Sequence, residues 1–262
     1  MLVFKCLSPI QRIIPGFQFL KFMIAIGNFF FKYRNWIFIL FYAALFIPSP
    51  PLFSEERFGE HHYIWPIVLG LLITVSGQLI RGATIGLAYI VRGGSEGKPY
   101  AEGLVTDGIF NHCRNPLYVG NILMLLGVGI LANSLFYVVI IIPAFLFIYQ
   151  AIVLAEEHFL RGKFGAGFDA YCKKVNRWIP DLRGIDKTFG SMSFNWRRWI
   201  LKEYNTQFVW LSGITLILLL KYPHITDYDT HYRNTLIVVI LSVLLLMYLL
   251  IRYLKKSGKV KE

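Results

Sequence analysis

Acidic residues are scarce in this chain, 15 aspartates and glutamates against 27 lysines and arginines, and charge of either sign is thin at 16% of residues. A soluble domain carries about 25% charge, so the shortage excludes an ordinary water-facing surface. Cysteine is scarcer still. Cys6, Cys113 and Cys172 make neither an even disulfide set nor a CxxC pair, which excludes a disulfide-stapled fold and points to a reducing compartment. His112 stands beside Cys113, but no second ligand pair at metal spacing accompanies them, so no metal site is expected. What fills the chain instead is apolar: 56% hydrophobic residues, 16% aromatic, and a mean hydropathy of +0.53. The chain therefore reads as all-α, a polytopic transmembrane helical bundle. The net charge of +12 invites a nucleic-acid reading. The basic residues lie between apolar runs, however, where anionic lipid and membrane orientation account for them, so no nucleic acid is expected.

Residues 1–34 carry Lys5, Arg12, Lys21, Lys32 and Arg34 at intervals, and the apolar stretch 17–31 is broken by Lys21 and Asn28. This predicts a basic interfacial helix rather than a span or a signal peptide. A first span is expected over 35–47, ended by Pro48, Pro50 and Pro51, and a second over 63–81 that can run on towards Ile90, with Gly82 and Gly86 at small-xxx-small spacing. Residues 91–115 are polar and glycine-rich, long enough to fold over a site. Two apolar helices, 117–131 and 135–154, follow, separated only by Ala132-Asn133-Ser134. So short a turn predicts an antiparallel hairpin whose two ends, near Arg114 and Glu156, emerge on one membrane face. The block 155–206 is rich in lysine and arginine and is placed in the cytoplasm by the positive-inside rule. Within it Phe168, Tyr171, Cys172 and Val175 recur at helical spacing, with Asp169 and Lys173 as an i, i+4 pair, predicting a cytoplasmic amphipathic helix. Spans at 206–220 and 236–251 and a basic tail complete a scheme of about six spans with both termini inside. The division is a basic N-terminal segment 1–34, a core 35–206, and two further spans with the tail over 207–262.

The residues with chemical potential gather at the hairpin's two ends. Asn115 and Pro116 suit a helix start, because proline in the first turn loses no intrahelical hydrogen bond. Such a start offers free N–H groups and a positive dipole end to a carboxylate, which Arg114 can grip with two parallel donors. Glu156 or Glu157 can accept from an ammonium or a ribose diol. Together with His112 these charges sit where desolvation begins and need partners. The structural alternative is that Arg114 snorkels to lipid phosphate and Glu157 pairs with Arg161 one turn on. Gly127 and Gly129 lie inside a span, where they read as helix-packing residues rather than a nucleotide loop.

The ordered set Leu104 to Phe110, Arg114-Asn115-Pro116-Leu117-Tyr118-Val119-Gly120, Glu156-Glu157 and Phe164-Gly165 resembles the integral-membrane isoprenylcysteine carboxyl methyltransferase and phospholipid N-methyltransferase superfamily. Its pattern is arginine, commonly histidine, proline, any residue, tyrosine, any residue, glycine, then a glutamate pair beyond a helical hairpin. Tyr171, Val175, Arg177 and Pro180 continue it. Asn115 stands where histidine is commoner. The match runs over about residues 63–182. The resemblance implies S-adenosylmethionine as methyl donor, held by His112, Arg114, Asn115, Pro116, Tyr118, Gly120, Glu156, Glu157, Tyr171 and Arg177. Arg114, Glu156 and Glu157 are the expected catalytic residues. It also implies a lipophilic acceptor entering from the bilayer, with the isoprenylcysteine-like carboxylate, the phospholipid amine, another lipid acid and a small thiol all left open.

Two other readings compete. Membrane sterol reductases share this core and bind NADPH, but more often carry asparagine after the proline and glutamate after the motif glycine, where this chain has Leu117 and Asn121. A non-catalytic membrane protein retaining the fold is the other. Against a transporter, no span carries a run of acidic residues or a broken helix matched to another.

Overall fold

The computed structural model describes residues 15–88 and 101–258, and among them every regular element is helical. The helices are α1 (Pro15–Ala43), a single turn α2 (Glu55–Phe58), α3 (Ile64–Leu87), α4 (Pro116–Leu131), α5 (Ile142–Phe164), α6 (Ala166–Lys174), α7 (Ile185–Ser191), α8 (Trp196–Lys221) and α9 (Thr230–Lys256). The all-helical membrane bundle expected from composition is what forms.

Fewer stretches than the six expected spans pass on length and composition alone. Among the described residues three helical stretches are long and apolar enough to cross a membrane: α3, Tyr137–Phe164 and α9. In residues 15–43 the direction changes at residue 35, where the basic segment was expected to give way to a span. They form one helical element whose two arms, Gln18–Arg34 and Trp36–Phe46, meet at 77° and pass as a span only together. Helix α4 is apolar but has 16 residues, about 24 Å at 1.5 Å per residue, short of a hydrocarbon core of about 30 Å. Helix α8 carries Arg197, Arg198, Lys202 and Glu203 in its first half, so its apolar part is only its second half. The expected break between residues 206 and 207 falls inside this helix.

Helices α3 and α4 are held at backbone contact by glycines one heptad apart. A Cβ on Gly70 would lie 2.7 Å from the Leu131 Cα, and one on Gly77 2.5 Å from the Gly120 carbonyl oxygen. From the other side, a Cβ on Gly127 would lie 2.4 Å from the Thr74 nitrogen. Small residues are how membrane helices gain van der Waals contact when lipid removes the hydrophobic drive. Gly82 and Gly86, by contrast, make room for Trp199 and Phe194.

The turn after α4 puts Asn133 in the left-handed region at φ 49° and locks it there. Its side chain accepts from Phe53 N at 2.8 Å and donates to Phe53 O at 3.0 Å. The chain then returns through a widened π turn, Tyr137–Ile141, just before Pro143. Proline supplies no N–H to the preceding turn, and a π bulge accommodates the missing bond. Helix α5 ends where Gly165 adopts φ 50°, a backbone state L side chains avoid. Helices α8 and α9 are each capped by a side chain, Asn195 accepting from Arg198 N and Asp229 from His231 N and Tyr232 N. Nothing in the apolar part of α9 is buried, as suits a helix bathed in lipid.

Candidate functional site

The hairpin brings its two ends together. Arg114 Nη1 lies 3.2 Å from the Glu157 Oε1, so the start of α4 and the end of α5 share one face. A third segment closes on them. Arg114 N donates to the Asn176 carbonyl at 2.9 Å, and Asn115 Nδ2 to the Arg177 carbonyl at 3.3 Å. Asn115 is thus the N-cap residue by position, but its side chain ties down residues 176–178 instead of capping α4. That docking delivers Arg177, which grips Glu157 through Nε at 3.0 Å and Nη2 at 2.7 Å.

Two pairs that helical spacing offers are not the ones formed. Glu157 does not pair with Arg161; it is buried at 4% exposure between Arg114 and Arg177. Arg161 pairs with Asp169 at 2.8 Å, which also displaces the Asp169–Lys173 pair. The cause is tertiary. A planar guanidinium fork from Arg177, presented to a desolvated carboxylate, outweighs a solvated i, i+4 contact of a few tenths of a kcal/mol, about 0.3 to 0.5.

One carboxylate therefore faces two guanidinium groups. Arg114 is not fully satisfied by it: Nη1 also donates to Cys172 Sγ at 2.7 Å, and Nε is buried with no partner among the described residues. Arg114, Asn115, Glu156, Glu157 and Tyr171 line a narrow cleft here, and Tyr171 fixes its floor by donating to the Phe110 carbonyl at 2.6 Å. Glu156 points differently from its neighbour. It accepts from the Tyr118 hydroxyl at 3.0 Å and borders both this cleft and a larger chamber of about 680 Å³ reaching up between α1, α3, α4, α5 and α8.

The remaining candidates are placed elsewhere. His112 lines neither space. Its Nδ1 meets the Asp181 carbonyl at 2.6 Å and its Nε2 the Thr188 hydroxyl at 2.8 Å, so it anchors α7 and the segment before it. Beside it, Arg183 holds the exposed Asp181 carboxyl down at about 2, while burial pushes the Cys113 thiol up. Pro116 is the first residue of α4. Gly120 packs against α3, where a Cβ would strike Arg81 Cγ at 2.6 Å. Among the described residues no three histidine, cysteine or acidic side chains gather as a metal site.

The structure adds a cluster that the motifs did not reveal. Arg81 on α3 and Glu203 on α8, 9% and 2% exposed, form a bidentate pair at 3.0 and 2.5 Å. Arg81 also donates to Asn121 Oδ1 at 2.5 Å and borders the chamber. The signal available in sequence was Arg81, a single charge inside the otherwise apolar α3; Glu203 lies among the charges of the first half of α8 and gave none.

With this geometry in place, comparison with known proteins is direct. The family model of phospholipid methyltransferases matches residues 65–167. The chain is 30% identical over 158 residues to the cobalt-zinc-cadmium resistance protein CzcN of Cupriavidus metallidurans, covering 60% of this chain and 68% of that one. The chain belongs to the integral-membrane phospholipid and isoprenylcysteine methyltransferase superfamily. The nickel-cobalt-cadmium resistance protein NccN of Alcaligenes xylosoxydans xylosoxydans is 29% identical over 155 residues, 53% of this chain and 72% of its own. Protein-S-isoprenylcysteine O-methyltransferase A of Arabidopsis thaliana is 27% identical over 128 residues, 47% of this chain and 63% of its own. No solved structure matches. The family model's match spans α3 to the start of α6, so α8 and α9 lie beyond that match.

Proposed function

We propose that this membrane methyltransferase uses S-adenosylmethionine and works at the cytoplasmic face, methylating a lipophilic acceptor that enters from the bilayer. The observation that carries the reading is the arrangement around Glu157, two arginines on one buried carboxylate with the Nε of Arg114, on the cleft wall, left over. A buried donor without a partner costs about 1 to 3 kcal/mol, and a carboxylate ligand would remove that cost. The methionine end of the donor is zwitterionic, and Glu156, free of any arginine and reachable from cleft and chamber alike, suits its ammonium or its ribose diol.

Bound there, S-adenosylmethionine would supply an electrophilic methyl group carried on sulfur. The protein's share is positioning and exclusion of water, which is what an in-line displacement with dispersing charge requires. Arg114 and Arg177 orient the carboxylate end; Glu157 holds both guanidinium planes in register. Tyr118 fixes the Glu156 carboxylate at the junction of cleft and chamber. A carboxylate or thiolate acceptor needs no base, while an amine must lose a proton, for which Glu156 offers a carboxylate on the chamber wall. The lysine and arginine content of residues 155–206 argues for the cytoplasmic side.

Purified protein in nanodiscs, titrated separately with S-adenosylmethionine and with NADPH, tests the cofactor. Saturable binding of NADPH alone would replace this reading with the reductase one. Methyl-labelled donor incubated with membranes then types the product: label released from extracted lipid by alkali is an ester, and label that resists is on nitrogen.

A further inference from the structure

We propose that α8, which lies outside the residues matched by the family model, supplies one wall of the acceptor chamber, and that Arg81, Asn121 and Thr206 form a polar rung there. The rung binds a neutral hydrogen-bonding group of the acceptor, an ester or amide carbonyl or a hydroxyl. The inference deepens the methyltransferase reading and takes the word acceptor from it.

Helix α8 is fastened to the core along its whole length. Near its start Glu203 takes the Arg81 fork; midway Trp210 Nε1 donates at 2.7 Å to Thr74, which donates on to the Met124 carbonyl at 3.1 Å. Just past its end the Tyr222 hydroxyl donates to the Leu131 carbonyl at 2.5 Å. A helix so held is a fixed wall, and its residues Asn205, Thr206 and Val209 face the chamber.

The chamber is otherwise bordered largely by phenylalanine, leucine and other apolar side chains from α1, α4 and α5. Polar groups at such a depth are expensive unless they serve a ligand or one another. Arg81 serves both. Four of its five N–H groups point at protein acceptors: two at Glu203, one at Asn121, and one, long at 3.5 Å, at Thr206. Its charge is fully matched by the adjacent carboxylate. An incoming anion would meet Glu203 as well as Arg81 and would bring its own desolvation cost, so it gains little here. A neutral carbonyl or hydroxyl is far cheaper to bury and needs only a donor or an acceptor. The fifth Arg81 N–H, the Thr206 hydroxyl and the remaining N–H of Asn121, whose side chain already meets Arg81 and Tyr149, offer both. Arg34, whose guanidinium rests 4.7 Å from the Phe31 ring centroid, is the other arginine bordering the chamber and belongs to α1 rather than to this rung.

The test needs no methyl donor. Full-length protein in nanodiscs is photolabelled with a monoacylglycerol carrying a diazirine beside its ester, and in parallel with the corresponding diazirine fatty acid, and the labelled peptides are mapped. The ester probe is expected to label the peptide spanning residues 205–209 more strongly than the fatty acid does. Thr206→Val should lower that labelling by about threefold or more, the scale of one lost neutral hydrogen bond, Thr206→Ser should restore it, and Val209→Trp should abolish it by filling the space. Thermal unfolding of each variant checks that the wall is intact. Equal labelling by ester and fatty acid, or ester labelling untouched by Thr206→Val and Val209→Trp, overturns the proposal. Loss of S-adenosylmethionine binding with rung labelling preserved would overturn the methyltransferase reading alone.

Discussion

The molecule contains two buried arginine–glutamate clusters, and they are built to opposite rules. At Arg81 and Glu203 one cation meets one carboxylate through two hydrogen bonds, with Asn121 and Thr206 completing the fork. At Glu157 one carboxylate is shared between Arg177 and Arg114, and the Arg114 Nε is left unpaired. The first cluster is electrically closed and joins α8 to α3. The second, counted over the groups that meet Glu157, is open by one positive charge beside the arginine-free Glu156, and such a pairing of an unfilled cation with a nearby carboxylate is what a zwitterionic ligand can complete. Count of partners, rather than burial or residue type, distinguishes the fastener from the candidate cofactor clamp.

The largest expected effect breaks the closed cluster. Glu203→Ala leaves Arg81 buried and uncompensated, and removal of one partner of a buried pair costs about 3 to 5 kcal/mol. Thermal unfolding in detergent should drop steeply; a variant as stable as the parent would mean that water reaches Arg81. Next comes the open cluster. Arg114→Lys keeps the charge but loses the planar fork, so donor affinity should fall by about 1 to 3 kcal/mol while unfolding changes little. Unchanged affinity in the folded variant removes Arg114 from the clamp.

Glu156→Gln sharpens the contrast between adjacent residues. They point about 100° apart on the helix, and only Glu157 is held by arginines. Glu156→Gln should therefore lower donor affinity or turnover by about tenfold, about 1.4 kcal/mol, with stability nearly intact. Full affinity and full turnover would make Glu156 a helix-surface residue. The smallest effect belongs to Arg161→Gln. Its pair with Asp169 is 39% exposed on both sides, and half-exposed pairs contribute about 0.2 to 1 kcal/mol, less in salt. Donor affinity should not move. A large loss would show that α6 is positioned through Arg161 and would blur the distinction between solvated and buried pairs.

What could be read in advance was local or repeated. The Asn115-Pro116 helix start, the hairpin that returns Glu156 and Glu157 to Arg114, and the all-helical membrane class each follow from patterns a few residues long or from composition. The partner of Glu157 was not legible, because spacing along α5 offers Arg161 while Arg177 arrives only through the docking of residues 176–178 onto 113–115. His112 shows the same limit. Its two ring nitrogens are engaged by Asp181 and Thr188, 69 and 76 residues away, and no local pattern announces that.

The sequence by itself determined that this chain lives in a membrane, that its regular structure is helical, and which residues stand at the mouth of the hairpin. Hydropathy and capping act over a turn or two of helix, so they survive without tertiary context. The tertiary structure decided which charges neutralise which. Arg81 and Glu203 are separated by 122 residues, and only the close packing of α3 on α4, made possible by Gly77 and Gly120, places Asn121 beside Arg81 to complete its fork. Burial then fixes the outcome. In a low-dielectric interior an unpaired charge is too costly to leave, so the partner within reach of the folded chain prevails over the partner nearest in sequence.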